Sequence, residues 1–271
     1  MEIDALRALV RELRIDIIRM LERAGSGHPG GSLSVVDVLA ALYTGPLRHK
    51  PEDPSWPDRD RVVLSKGHCC PALYAVLARC GYFPRERLCE LRRLGSPLQG
   101  HPDRVRLPGM EASTGSLGQG LSVAVGMALA ARIDKKGFRV WCVLGDGEMQ
   151  EGQGWEAAMS AKKFGLGNLT AIVDLNGGQI DGPVREVMDL EPIADKFRAF
   201  GWGTAEIDGH DFQQITDALA HAAQKRHGPA VILSRTVKGK GVYFMEGKAE
   251  WHGKAPTREE ADRAVEELSR G

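Results

Sequence analysis

Two uninterrupted apolar runs constrain the fold of this chain more than any other feature. They are Val140-Trp141-Cys142-Val143-Leu144 and Leu169-Thr170-Ala171-Ile172-Val173. Each is short, rich in β-branched or aromatic residues, and ends in a polar turn containing glycine. A helical pattern follows each turn. Strands that are apolar at successive positions are covered on both faces, as in parallel sheets. Val62-Val63-Leu64 is a third such run, and Thr204–Ile207 and Ala230–Leu233 are two further candidates. The prediction is an α/β fold, a parallel sheet with helices on both faces.

The helical segments fit this layout. Leu6, Leu9, Val10, Leu13, Ile17 and Leu21 recur at spacings of three and four and form one apolar stripe, which Gly25 and Gly27 terminate. A second helix is predicted from about Ser34, where Ser34 and Asp37 have capping-box spacing. The Gly/Ala-rich stretch Ser116–Ile133 carries Gly120 and Gly126. Glycine costs a helix about 1 kcal/mol per site relative to alanine, so close backbone approach to the sheet, a ligand or another subunit is expected there. Thr257 and Glu260 repeat the capping-box spacing at the start of the last helix. No repeat or flexible linker interrupts the pattern, and residues 1–271 read as a single domain.

Charge and cysteine content exclude several classes. Lys and Arg total 36 and so do Asp and Glu. A net charge of zero argues against nucleic-acid or membrane-surface binding. The cysteines, Cys69, Cys70, Cys80, Cys89 and Cys142, include no Cys-x-x-Cys pair, so neither a disulfide framework nor a zinc site is expected. Reduced thiols suit a cytoplasmic location. The charged N-terminus has no apolar signal core, and no apolar run reaches the length of about eighteen residues needed for a membrane span.

The chemistry concentrates where the two strongest strands end. Gly145-Asp146-Gly147-Glu148 follows the first, and Asp174-Leu175-Asn176-Gly177-Gly178 follows the second. Their separation is roughly one βαβ unit. Adjacent parallel strands would place Asp146 beside Asn176, at the carboxyl edge where open α/β sheets bind ligands. Asp146 offers a hard oxygen suited to Mg²⁺. With the oxygen of Asn176, a backbone carbonyl near Gly178 and a diphosphate, it could complete most of an octahedron. A helix predicted near Glu151 to Lys163 adds an anion-favouring amino end. Either half alone is an ordinary turn; the combination is specific.

Four of the eight histidines, His28, His68, His101 and His252, lie in turn-like segments flanked by Gly or Pro. Imidazole is the group best suited to moving protons near neutral pH, although each histidine taken alone also fits a structural role. His49, His210, His221 and His227 read as surface or structural residues. Lys238 and Lys240 are compatible with solvated loop charges or with an approach to phosphate, and Lys240 is the better candidate for the latter. Glu151 could serve only the helix amino end.

Gly145-Asp146-Gly147 with Asn176 at this spacing resembles the thiamine-diphosphate motif, and the wider sequence resembles transketolase along nearly the whole chain. The matching segments include Gly27-His28-Pro29-Gly30, Leu64-Ser65-Lys66-Gly67-His68, Gly100-His101-Pro102 and Thr114 to Gly120. Further on they include Gln179-Ile180-Asp181-Gly182, Lys238-Gly239-Lys240-Gly241 and Trp251-His252-Gly253. The resemblance implies thiamine diphosphate and Mg²⁺ as cofactors. It implies that Asp146, Asn176 and the carbonyl of Gly178 hold the metal and that Gly147 gives its amide to the diphosphate. Gly115 and Leu117 would contact the cofactor, with Ile180 packed near it and His68 near its diphosphate. His28 and His252 would contact ketose hydroxyls and assist proton transfer, and His101 would orient the donor. Glu151 would join a carboxylate network linking paired cofactor sites.

The resemblance covers the diphosphate-side domain of such enzymes. The pyrimidine-binding and C-terminal domains are expected on a separate C-terminal subunit, with two copies of each chain and sugar phosphates as substrates. Gly30-Gly31-Ser32-Leu33-Ser34 departs from the Ala-Pro sequence usual in single-chain relatives and resembles separate N-terminal subunits. The implied activity is transfer of a two-carbon ketol unit from a ketose phosphate to an aldose phosphate, requiring both subunits. A dihydroxyacetone-synthase type of enzyme and a non-catalytic regulatory homologue are the alternatives.

Overall fold

The computed structural model describes residues 1–224 and 227–270. The chain runs through α1 (Ile3–Ala24), α2 (Pro29–Thr44), β1 (Arg61–Leu64), α3 (Cys70–Cys80), α4 (Gln119–Ile133), β2 (Val140–Gly145), α5 (Gly152–Lys163) and β3 (Leu169–Leu175). A small hairpin, β4 (Gly178–Gln179) and β5 (Gly182–Pro183), follows. Then come α6 (Val184–Met188), α7 (Ile193–Ala199), β6 (Gly203–Asp208), α8 (Phe212–Ala222), β7 (Ala230–Arg235) and α9 (Arg258–Arg270).

All five expected strands form one parallel sheet in the order β1-β2-β3-β7-β6. Every residue of β2 and β3 is buried. Successive side chains enter opposite layers, as the two-residue period of a strand requires. Trp141, Val143 and Ile172 join the core under α1, α2, α3, α8 and α9. Val140, Cys142, Leu144, Ala171 and Val173 join the core under α4, α5 and α7.

The first helix follows its stripe, with Leu6, Val10, Leu13, Ile17 and Leu21 buried and Gly25 closing it in the left-handed conformation. The capping box of the last helix is present: Thr257 Oγ1 accepts from the amide of Glu260, and Glu260 accepts from the amide of Thr257. The second helix departs from expectation. It starts at Pro29, with proline in the first turn where its missing N–H is no loss, and is buried over almost its whole length. Ser34 and Asp37 therefore sit inside the helix. Ser34 donates to Asp174, and Asp37 accepts from Arg14 and pairs with His210.

No helix among the described residues is long and apolar enough to cross a membrane.

Candidate functional site

The sheet register builds the site. Gly145 pairs with Asp174, so the turns after β2 and β3 leave the same edge side by side. The segment Gly67–Cys69 leaves β1 at that edge, and Lys238 lies just past the end of β7. His28 takes the N-cap position of α2. These ends enclose a cavity of about 440 Å³, a size typical of small-molecule sites. It is lined by His28, His68, His101, Gly115, Leu117, Asp146, Gly147, Glu151, Asn176, Gly178, Ile180 and His252, the residues that the sequence assigned to catalysis, cofactor and metal.

The turn residues hold one another in place. Asp146 Oδ1 accepts from the amide of Gly147 at 2.9 Å and Oδ2 from that of Gly177 at 2.6 Å. Asn176 Nδ2 donates to Asp174 at 2.8 Å, which fixes the amide orientation and leaves Oδ1 as acceptor toward the amide of Gly178. Burial and the nearby Asp174 carboxylate push Asp146 up to about 6. The oxygens of Asp146, Asn176 and Gly178 each keep a lone pair beyond these bonds. Among the described residues no group of three or more His, Cys, Asp and Glu is placed to hold a metal. A set of one carboxylate, one amide and one carbonyl is a hard-oxygen set of the kind Mg²⁺ shares with phosphate and water.

Three imidazoles form a triangle. The ring centroids of His28 and His68 are 5.1 Å apart, those of His28 and His252 5.5 Å, and those of His68 and His252 5.3 Å. Burial, with neighbouring cations and imidazoles, holds His28 down at about 4 and His252 at about 3. His68 lies lower still for the same reasons. All three are neutral near pH 7. The Nδ1 of His28 is buried without a partner. His101 rests on Gly115, where an added Cβ would come within 2.9 Å of its ring.

Of the two candidate lysines, the structure selects Lys238 over Lys240. Lys238 is 3% exposed. Its ammonium donates to the Gly178 carbonyl at 2.8 Å and to His252 Nδ1 at 2.7 Å. Burial and the charge of Lys66 bring it down to about 8. Because Nδ1 of His252 accepts, its proton sits on Nε2. Lys240 instead lies 3.4 Å from Glu246, half-exposed and away from the cavity.

Sequence reasoning missed Lys66, Asp174 and Glu148 as parts of the site. Lys66 Nζ lies 2.5 Å from Asp174, which also accepts from Ser34 at 2.6 Å and Thr236 at 2.5 Å. Glu148 is buried and ties three loops together: it accepts from Ser65 Oγ, from the amide of Gly118 at 3.0 Å and from that of Gly145 at 3.1 Å. Glu151 reaches the cavity from an exposed position at the start of α5, and Ile180 stands 71% exposed at the mouth. The available signal for Lys66 and Glu148 was position, since both follow a buried strand at its carboxyl end.

The family model described as "Transketolase, thiamine diphosphate binding domain" matches residues 4–269. The chain is 48% identical over 262 residues to the 6-deoxy-6-sulfo-D-fructose transketolase subunit SqwG of a Clostridium species, covering 97% of this chain and 94% of that protein. It is 42% identical over 269 residues to one of the apulose-4-phosphate transketolase subunits of Phocaeicola vulgatus, covering 99% of this chain and 95% of that protein. Human transketolase is 40% identical over 98% of this chain, which spans 42% of the human protein. The crystal structure of Campylobacter jejuni transketolase superposes with a TM-score of 0.93 at 35% identity, over 99% of this chain and 43% of that one.

Proposed function

The chain belongs to the transketolase family as a thiamine-diphosphate-binding domain, and on that premise we propose that it is the N-terminal subunit of a two-chain transketolase. The observation that carries this reading is the convergence of Asp146, Asn176, Gly178 and four histidines on one cavity at the sheet's carboxyl edge. Two relatives matched over nearly their whole length are named as transketolase subunits, which supports a separate partner chain.

Thiamine diphosphate, when bound, supplies the electron sink for breaking and making the ketol carbon–carbon bond. Asp146, Asn176 Oδ1 and the Gly178 carbonyl would hold Mg²⁺. The amide of Gly147, the Lys238 ammonium and neutral His68 would face the diphosphate. Gly115, Leu117 and Ile180 would pack near the cofactor. His28, neutral, accepts a proton or hydrogen bond from a ketose hydroxyl, and His252 offers its Nε2 proton to another. His101 orients the donor. Glu151 would act toward a second cofactor site, and the assembly would hold two copies of each chain. The partner would be the pyrimidine-binding chain.

The two subunit relatives have different ketoses in their names, a sulfonated one and a phosphorylated one. Both carry a strong anion, so a ketose with an anionic group is the proposed donor class.

The test is ketol transfer with thiamine diphosphate, Mg²⁺ and a ribose-phosphate acceptor. The donors are a xylulose phosphate, apulose-4-phosphate and 6-deoxy-6-sulfo-D-fructose. The chain is assayed alone and with its candidate partner. Transfer that requires both chains supports the proposal. Transfer by the chain alone would overturn the two-chain requirement. A complex that binds cofactor but transfers nothing from any donor would favour a non-catalytic binding subunit.

A further inference from the structure

The backbone of Arg92 adopts φ of 60°, an unfavourable left-handed conformation for a residue bearing Cβ. Its amide is pinned to the carbonyl of Leu98 at 2.8 Å, at the base of the loop leading to His101. This conformation sends the side chain across the gap between two histidine-bearing loops. Nη1 donates to Ser26 Oγ at 3.1 Å, two residues before His28, and Nη2 reaches the carbonyl of Gly100 at 3.4 Å, one residue before His101. The guanidinium lies so close to Gly100 that an added Cβ there would come within 2.7 Å of Cζ.

Other arginines of the chain are neutralised: Arg59 is paired with Glu111, and Arg79 and Arg85 are paired with Asp16. Among the described residues no carboxylate forms an ion pair with Arg92, although the residue is exposed. The groups that act on His28 are Arg92, His68, His101, Lys238 and His252, and Arg92 acts on His101 as well; none is a carboxylate. After burial, Arg92 is the largest influence on both histidines, and it disfavours their charged forms. Arg92 is exposed and held in an unfavourable backbone conformation, and its guanidinium packs against Gly100. Its contacts lie on the loops that place the two imidazoles.

We propose that Arg92 is a positioning residue of this site. Its guanidinium ties the loop before His28 to the loop before His101, and its positive charge adds to the field that both imidazoles face. The proposal rests on the ketol-transfer reading only for what the histidines do. The clamp and the field are properties of the chain itself. A bidentate fork is required for the clamp, whereas any cation at this position supplies the field.

Three variants separate the two roles. Arg92→Gly removes the side chain and relieves the left-handed backbone, so it keeps the fold. Arg92→Gln removes the charge, and Arg92→Lys keeps the charge without the fork. Imidazole titrations are followed by NMR in the full chain, with His49 as a distant control. Ketol transfer is measured in the assembled enzyme.

Arg92→Gly and Arg92→Gln are expected to raise the titration midpoints of His28 and His101 by at least about 0.5 pH, with His49 unmoved. The acid limb of kcat moves to higher pH with them. At neutral pH kcat falls by about 10- to 100-fold, while cofactor affinity is unchanged. Arg92→Lys restores the midpoints and recovers only part of kcat. Unchanged midpoints in both charge-removing variants would overturn the proposal. So would full kcat in folded Arg92→Gly when the wild-type complex is active. An inactive wild-type complex counts against the ketol-transfer reading, and the titrations then decide the role of Arg92 alone.

Discussion

The ammonium of Lys66 stands 2.5 Å from the carboxylate of Asp174, and both side chains are shut off from solvent. Such a pair contributes little over an apolar equivalent, but either partner left alone is a buried, uncompensated charge. Lys66→Met is therefore expected to lower the unfolding free energy by about 3–5 kcal/mol in urea titrations, and the double change Lys66→Met/Asp174→Asn to recover most of that loss. A loss below about 1 kcal/mol for the single change would mean that water reaches the pair.

Asp146 and Lys238 both line the cavity, and Lys238 bonds the carbonyl of Gly178, a proposed metal ligand. Removing the carboxylate in Asp146→Ala should abolish calorimetrically detectable Mg²⁺-dependent cofactor binding while the fold is kept. Lys238→Met should weaken cofactor affinity by about 10-fold or more, through loss of a buried charge-assisted contact. Its melting temperature should stay level or rise, because burying an ammonium is costly. Undiminished Mg²⁺-dependent binding by Asp146→Ala would place the metal elsewhere.

The two glycines of α4 should respond oppositely to alanine. A Cβ at Gly120 would lie 2.3 Å from Ser65 Oγ and 2.7 Å from its Cα, whereas one at Gly126 meets nothing within 4 Å. Gly120→Ala should destabilise the chain by about 1–3 kcal/mol and disturb the Ser65–Glu148 bond. Gly126→Ala should stabilise the isolated chain by about 0.5–1 kcal/mol. If α4 also packs against another subunit, as its composition suggests, Gly126→Ala should weaken assembly even as it stabilises the chain. Unimpaired assembly would remove Gly126 from that interface.

Acidification should destabilise the chain from mildly acidic pH onward. The ordinary imidazole value is 6.5, and His28 and His252 are held near 4 and 3 in the folded chain. The unfolded chain thus takes up protons first, and stability present above about pH 6.5 is lost as the pH falls toward the folded values. Asp146, raised from 3.8 to about 6, acts in the opposite sense between those values, and buried Glu111 and Glu148 are raised likewise. His68 and His101 are shifted the same way as His28 and His252, so the histidines outnumber these three carboxylates. Urea midpoints at pH 7.5 and pH 5 provide the check, with the lower midpoint expected at pH 5. A flat profile would show that the imidazoles are solvated.

The sheet, its strand ends and the placement of Asp146 beside Asn176 could be read from local pattern and from a spacing fixed by the βαβ unit, whereas lining residues such as Gly115, Leu117 and Ile180 were implied only by the resemblance to transketolase. The side chains that lock the cavity could not be read that way. Glu148 and Glu151 are three residues apart with the same chemistry, yet only Glu148 is wedged among the loops of Ser65, Gly118 and Gly145. Ser34 had the spacing of a cap, but its hydroxyl belongs to Asp174, 140 positions away. Lys238 and Lys240 differ only in the direction they leave the turn after β7. Each misreading concerned a contact between segments distant in sequence, for which local periodicity carries no information.

The alternation of side chains along β2 and β3 has a mechanical consequence. His28 reaches the cavity from the layer of α1, α2 and α3, whereas Leu117 and Glu151 reach it from the ends of α4 and α5 on the other side. The cavity is therefore a seam between two cores, not a hollow within one. Its geometry lasts only as long as the less durable core stays closed, and a mutation deep in either layer can open it without touching a lining residue.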